Sequence, residues 1–209
     1  SFTTAYNSNV SNVSTANIAM YDPVTNTWSA LGTGTNDTVF SLATDGTYLY
    51  AGGIFTQAGG QDVRRVARYD PTTNTWSPLG DPNAGVLPAG FSGNAAVLAL
   101  AVSPDGKFLY VGGEFGGASG EGALFVNGCN LARVQLGINR WQVYQNGPRN
   151  TTSPVVGQCG GSVNGIAVTN DTVHLVGSFS LVGDFQPSVG YAQLTNIEQF
   201  DVYLPALQR

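Results

Sequence analysis

The chain has 209 residues, a net charge of −5 and only 10% charged residues, so it is long enough to bury a sizeable core. Its 28 glycines, with plentiful Tyr and Phe, suit many short strands joined by tight turns and argue against helices and disorder. No apolar stretch approaches the roughly 20 residues of a spanning helix, and eight basic residues, with one short cluster at Arg64, Arg65 and Arg68, cannot offset a phosphate backbone.

The elements repeat along the chain. ANIAMYDPVTNTWSALG, ending at Gly32, predicts two strands joined by a turn at Asp22-Pro23. VFSLATDGTYLYAGGIF from Val39 predicts a hairpin turning at Asp45-Gly46, and RRVARYDPTTNTWSPLG to Gly80 predicts two further strands turning at Asp70-Pro71. The next copy reads VLALAVSPDGKFLYVGGEF to Phe115, then a Gly-rich loop, then CNLARVQLGINRWQVY to Tyr144. A third, more divergent copy reads VNGIAVTNDTVHLVGSF to Phe179 and GYAQLTNIEQFDVY to Tyr203. The units are thus a half unit over 15–32 and full units over 38–80, 96–144 and 162–203, within one domain over 1–209.

The register is tight. Phe55, Phe115 and Phe179 close the second segment of each copy, and Ala19, Ala67, Ala132 and Ala192 mark the third. Trp28, Trp76 and Trp141, the three tryptophans of the chain, each fall nine residues after that Ala; Phe200 takes the aromatic slot one residue early. Four antiparallel strands per unit, repeating every 50 to 65 residues or so, is the pattern of β-propeller blades. The fold class expected is all-β: three full four-stranded blades plus a half blade. Because the sequence opens in mid-blade, these residues alone are not expected to close a ring, and further blades in a longer polypeptide or neighbouring chains would complete it.

A double glycine ending the second strand, followed by a Tyr and, seven positions on, a Trp, resembles the kelch repeat. The matching residues are Gly52 and Gly53 with Tyr69 and Trp76, Gly112 and Gly113 with Trp141, and Tyr21 with Trp28. Val134 replaces the Tyr in one copy, and Val176 replaces the first Gly in the last. The resemblance implies a propeller like the central domain of galactose oxidase-type proteins. The forms LYVGGEF, NLAR and YDPTTNTW are most similar to repeats of large cell-surface proteins of fungi and other microbes. It speaks for fold and hardly for function, since propellers host many roles. On physical grounds the paired glycines should let neighbouring blades approach closely, and the Trp and Tyr rings should fill the space between sheets. Asp22 and Asp70 should be buried and accept hydrogen bonds from turn amides.

Few residues point to chemistry. His174, the single histidine, falls in the slot of Tyr50 and Tyr110 and reads as a core or interblade residue. One histidine cannot build the copper site of a galactose oxidase-type enzyme, and no G-x-S-x-G elbow accompanies it. The stretch Gly116–Gly122 lacks the Lys-Ser/Thr of a phosphate loop and reads as a flexible interstrand loop. Asp62, Asp81, Glu121 and Asp184 lie in loops and could serve calcium, but no D-x-D-x-D-G spacing supports it. Catalytic residues, cofactors and metals are therefore expected to be absent, and the chain is not expected to be an enzyme.

Cys129 and Cys159 are too few for a Cys-based zinc site; two cysteines suggest one disulfide and an oxidising compartment, with two unrelated buried thiols as the alternative. Asn9, Asn12, Asn36, Asn150 and Asn170 head N-x-S/T sequons, which lean toward a secreted glycoprotein. The long loops 56–63, 81–95, 116–129, 145–161 and 180–190 should all emerge on one face, where recognition usually sits. The expected role is a non-enzymatic extracellular or cell-surface interaction module with a protein or glycan partner, or further copies of itself. A structural subunit of an extracellular filament or matrix, or an accessory propeller of a secreted oxidase or carbohydrate-active enzyme, are the alternatives.

Overall fold

The computed structural model describes residues 1–7, 12–88, 94–120, 125–144, 147–148, 159–182 and 186–195. Every regular element among them is a β-strand, and every strand pairing is antiparallel. The first full unit is a four-stranded meander, Val39–Thr44, Leu49–Gly53, Val66–Asp70 and Thr75–Ser77, each strand beside the next in sequence. The second repeats it with Ala96–Val102, Phe108–Glu114, Leu131–Gln135 and Arg140–Val143. In the third, Ser162–Val168, Thr172–Ser178 and Tyr191–Thr195 pair likewise; its expected fourth strand, with Phe200 and Tyr203, lies outside the described residues. The half unit contributes Ala19–Asp22 and Thr27–Ala30.

Successive sheets pack face to face, so the core lies between units rather than within one. Ile18, Leu31, Phe55 and Trp76 fill the space between the half unit and the first unit. Tyr50, Leu79, Leu100 and Trp141 fill the next, and Tyr110, Leu131, Val163 and Phe179 the one after. Each buried Trp also bonds the unit before it: Trp76 Nε1 donates to the Leu31 carbonyl at 2.7 Å, and Trp141 Nε1 to the Leu79 carbonyl at 2.8 Å. A ring that buries its area and satisfies its one donor can sit dry between sheets. Trp28, the same slot in the half unit, is 38% exposed, unlike its two counterparts.

The double glycine has two separate causes. A β-carbon at Gly52 would strike the Val97 side chain of the following unit, and one at Gly112 would come within 2.6 Å of Val163 Cγ1. The first glycine is thus a condition of sheet stacking. The second is not, contrary to the sequence expectation: a β-carbon at Gly53, Gly113 or Gly177 would run into a carbonyl oxygen of its own sheet, that of Thr38, Ala96 or Ser162. Side chains of a neighbouring unit can change, whereas a paired carbonyl cannot move. This accounts for Val176 replacing the first glycine while Gly177 is kept.

The outward faces at the two ends of this stack are open. Leu100 and the partly buried Ile166 pack onto the glycine of the preceding unit, whereas Leu42, the same slot in the first unit, is 51% exposed. At the other end Val176 is 49% exposed. The described sheets do not form a closed ring.

Two further expectations need correction. Asp22 and Asp70 are partly exposed rather than buried; each caps its turn from the surface, Asp22 Oδ1 accepting the Val24 N–H at 2.8 Å and Asp70 Oδ1 the Thr72 N–H at 2.8 Å. Such Asx turns need no burial, because the carboxylate replaces water at two adjacent amides. Nor is the Gly-rich stretch after Phe115 a loose loop where it is described: Gly117–Ser119 is a buried strand, paired with Gly85–Leu87 on one side and Phe125–Asn127 on the other.

Candidate functional site

The long-loop edge of the molecule is itself built as a repeat. Each second-to-third connection folds into a short hairpin: Thr4–Ala5 with Val13–Ser14, Gln57–Ala58 with Gln61–Asp62, Gly117–Ser119 with Phe125–Asn127, and Leu181–Val182 with Gln186–Pro187. The base of each is closed by the same bond, from the amide of Asn17, Arg65, Asn130 or Gly190 to the carbonyl of Phe2, Phe55, Phe115 or Phe179. Phe2 therefore belongs to the phenylalanine series. Its spacing to Ala19 equals that of Phe115 to Ala132, so the signal is present in the sequence, but no double glycine precedes Phe2 to mark it.

Connections between units thread through these hairpins. The Thr35 N–H donates to the Ala16 carbonyl and the Val86 N–H to the Arg64 carbonyl, equivalent positions in successive units. The Asn36 side chain holds the next hairpin: its Oδ1 accepts the amides of Thr56 and Gln57, both at 2.9 Å, and its Nδ2 donates to Thr56 Oγ1 at 2.8 Å. Asn130, fully buried, accepts the Phe115 amide at 3.0 Å and donates to the carbonyls of Pro148, Gly160 and Gly161. Beside it Cys129 and Cys159 form a disulfide with their Cα atoms 5.2 Å apart. Both cysteines lie on this edge, where the hairpin of the second unit meets the connection to the third.

The opposite edge carries tight turns held by aspartates. Ser103 Oγ donates to Asp105 Oδ1 at 2.6 Å and the Lys107 amide at 3.1 Å, which with the Lys107 ammonium 3.2 Å away holds this carboxyl down at about 2. Burial raises the Asp45 carboxyl, but the Tyr48 amide, the Tyr50 hydroxyl and the Thr47 amide together more than reverse that, leaving it lowered. Burial, and next the Asp45 carboxylate, push the Tyr50 hydroxyl well above its ordinary value.

The residues singled out from sequence are scattered. His174 is partly buried, with Nδ1 2.9 Å from the Tyr191 hydroxyl on the open face of the third unit. Asp62 accepts from Gln57 Nε2 at 3.0 Å and Asp81 from the Asn83 amide at 2.7 Å; Glu121 and Asp184 lie outside the described residues. Among the described residues no three His, Cys, Asp or Glu are grouped to hold a metal ion, and no helix is long and apolar enough to cross a membrane. Of the sequons, Asn12, Asn36 and Asn170 are exposed, Asn170 in a turn of the opposite edge and Asn36 with its amide engaged as above; Asn9 and Asn150 lie outside the described residues. The basic cluster also divides: Arg68 stacks on the Tyr48 ring, 4.6 Å from its centroid, whereas Arg64 and Arg65 line a groove on the long-loop edge.

No family model matches the chain, and no curated protein matches it. Among solved structures it is similar to the extracellular domain of a protein described as a one-component system of B. thetaiotaomicron, with 11% identity and a TM-score of 0.38 over 87% of this chain and 25% of that one. A second structure, the extracellular domain of a protein described as a hybrid two-component system of the same bacterium, gives 11% identity and a TM-score of 0.40 over the same shares. The chain spans about a quarter of the length of those structures. Likeness at this level carries no argument about function.

Proposed function

We propose that this chain is part of a kelch-like β-propeller that works outside the cell, or on its surface, as a non-enzymatic recognition or scaffold module, binding a protein or glycan through its long-loop edge. The single observation that carries this reading is the asymmetry of the two edges. One carries tight aspartate turns; the other carries, among the described residues, a hairpin in each unit and connections bonded to them, clamped by Asn36, Asn130 and the disulfide. Four-stranded meanders stacked through their faces are the parts from which propellers are made, and a disulfide suits an oxidising compartment.

A filament subunit stacking end to end in the same geometry is less favoured. It would set Val176 of one copy against Val39 of the next, at the contact where Gly52 and Gly112 leave no room for a side chain. The test is photo-crosslinking on the producing cells, with a photoreactive residue at Gln57 or Asn83 on the long-loop edge and at Thr47 or Lys107 on the other. Discrete adducts from the first pair alone are expected; equal adducts from both edges, or none, would overturn the reading.

A further inference from the structure

The residue two before the third-strand alanine has a left-handed backbone in every unit: Asn17 (φ 63°), Arg65 (68°), Asn130 (60°) and Gly190 (73°). Glycine and asparagine adopt this conformation readily; a long side chain does so rarely. Arginine is the outlier. Where the slot holds a side chain, that side chain bonds a carbonyl of the connection entering the next unit; Asn130 in addition accepts the Phe115 amide, and Gly190 has no side chain to offer. Asn17 Nδ2 makes this bond to Thr35 at 2.8 Å, and Asn130 Nδ2 to Gly160 at 3.1 Å. Arg65 makes it to Ala95 at 2.9 Å with Nε alone, and its two terminal nitrogens have no hydrogen-bond partner among the described residues. An asparagine would suffice for the fold, so the strained arginine supplies something more.

What surrounds it is a groove of about 280 Å³ at the junction of the first and second units. Arg64 and Arg65 lie along it with Asn83, and Val86, Leu87 and Pro88 supply an apolar wall. Arg64 Nη2 is set by a 3.1 Å bond to Asn83 Oδ1, itself fixed by the turn at Asp81. Asp62 is the one carboxylate in the lining among the described residues, and it is engaged by Gln57. Burial lowers the Arg65 pKa, the mark of a cation short of compensation, although Asp37 offsets part of it.

We propose that this groove binds a small carboxylate ligand through the guanidiniums of Arg64 and Arg65, with the carbon skeleton of the ligand against Val86, Leu87 and Pro88. A planar fork of donors matches a carboxylate. The volume admits one ring or one short acidic side chain, being at the small end of ligand sites. An inorganic oxyanion would leave the apolar wall unused. The proposal rests on the long-loop edge being the recognition surface.

The test is calorimetric or NMR titration of the intact chain with galacturonate, N-acetylaspartate, neutral galactose and inorganic phosphate. At least one carboxylate is expected to bind, and galactose at least about tenfold more weakly, the loss of one charge-assisted pair. Binding of galacturonate alone assigns a sugar acid, and of N-acetylaspartate alone an acylated amino acid held by either of its two carboxylates; both sustain the proposal. Arg65→Asn, the residue that two other units use in this slot, is expected to keep the melting temperature and lose carboxylate binding about tenfold, and Arg64→Gln to weaken it in the same direction. Unchanged binding in both variants, phosphate binding as tight as either carboxylate, or no carboxylate binding would overturn the proposal. Should it fail while long-loop crosslinks persist, the recognition face stands and only this ligand is wrong.

Discussion

Gly165 pairs across the third sheet with Val176, and a β-carbon there would stand 2.7 Å from Val176 Cγ2. The same pair in the other units is Ser41 with Gly52 and Ala99 with Gly112. The third unit has therefore exchanged small and large across the sheet: bulk moved to one strand, and the space for it opened on the other. Gly165→Ala should cost about 1 kcal/mol, the low end for overpacking because Val176 is half exposed and can yield. Adding Val176→Gly should recover most of that loss, since it restores the pairing of the second unit. Chemical denaturation of these two variants and of Val176→Gly alone closes the cycle; additive effects would show that the pair is not coupled.

Trp76 and Trp28 share a register slot but not an environment. Trp76→Phe removes one of the two hydrogen bonds to the Leu31 carbonyl, which keeps the Gly34 amide, and leaves a smaller ring in a buried site, for an expected loss of about 1–3 kcal/mol. Trp28→Phe, at the open end, should cost under about 1 kcal/mol. Comparable losses, read from melting midpoints in urea, would mean that Trp28 is covered in solution.

Reduction of Cys129–Cys159 opens a loop of 30 residues. The chain-entropy relation gives a loss of about 3–4 kcal/mol for a loop of that size. The paired Cys129→Ser, Cys159→Ser variant should therefore melt well below the oxidised protein, and reductant should shift the unsubstituted chain alone. Thermal melts with and without reductant check this.

Acid should act first on the short-turn edge. Asp22, Asp45, Asp70 and Asp105 are all lowered in the folded state, Asp105 to about 2. A folded pKa below the unfolded value of 3.8 adds stability above that value and loses it as pH falls through the folded one. The melting temperature should thus be insensitive to these groups at neutral pH and fall from about pH 4 toward pH 2. Asp105→Asn should be less stable at pH 7 and show a shallower fall across that window. An unchanged acid limb would remove Asp105 from the account.

Much of this was legible in the sequence because it is periodic. The Ala–Trp interval, the double glycines and the Asp-Gly turns each report a strand edge or a sheet contact that recurs, so agreement between copies stands in for structure. What was not legible arises where a marker of the repeat is missing or where the cause lies in the next unit. Phe2 was passed over because no double glycine precedes it, although its spacing to Ala19 matches that of Phe115 to Ala132, and the distinct roles of Gly52 and Gly53 were masked by their adjacency. The groove was missed although its signal is present: Asn17, Arg65, Asn130 and Gly190 align two residues before the alanines, and the arginine stands out. A residue type incompatible with the backbone of its slot is visible only once that backbone is known.

The last contrast concerns two asparagines in equivalent turns. Asn74 (φ 57°) and Asn139 (φ 52°) share a left-handed backbone between the third and fourth strands. Asn74 Oδ1 accepts the Tyr69 hydroxyl at 2.7 Å and the Gly32 amide at 2.8 Å, tying its turn both to its own sheet and to the preceding unit. In the next unit Val134 stands where Tyr69 does, and Asn139 Oδ1 is buried with no hydrogen-bond partner among the described residues. Glycine accepts this conformation without steric cost, so substitution changes the backbone term equally at both sites. The side-chain term differs in sign. Asn74→Gly leaves a hydroxyl and an amide short of an acceptor, whereas Asn139→Gly removes a buried acceptor that bonds none of the described residues. Asn74→Gly should therefore be the more destabilising by about 1–3 kcal/mol, with Asn139→Gly near neutral or stabilising. Urea melts of the two variants side by side decide it: equal losses would mean that the tyrosine bond contributes nothing and that the register between units is held by the tryptophans alone.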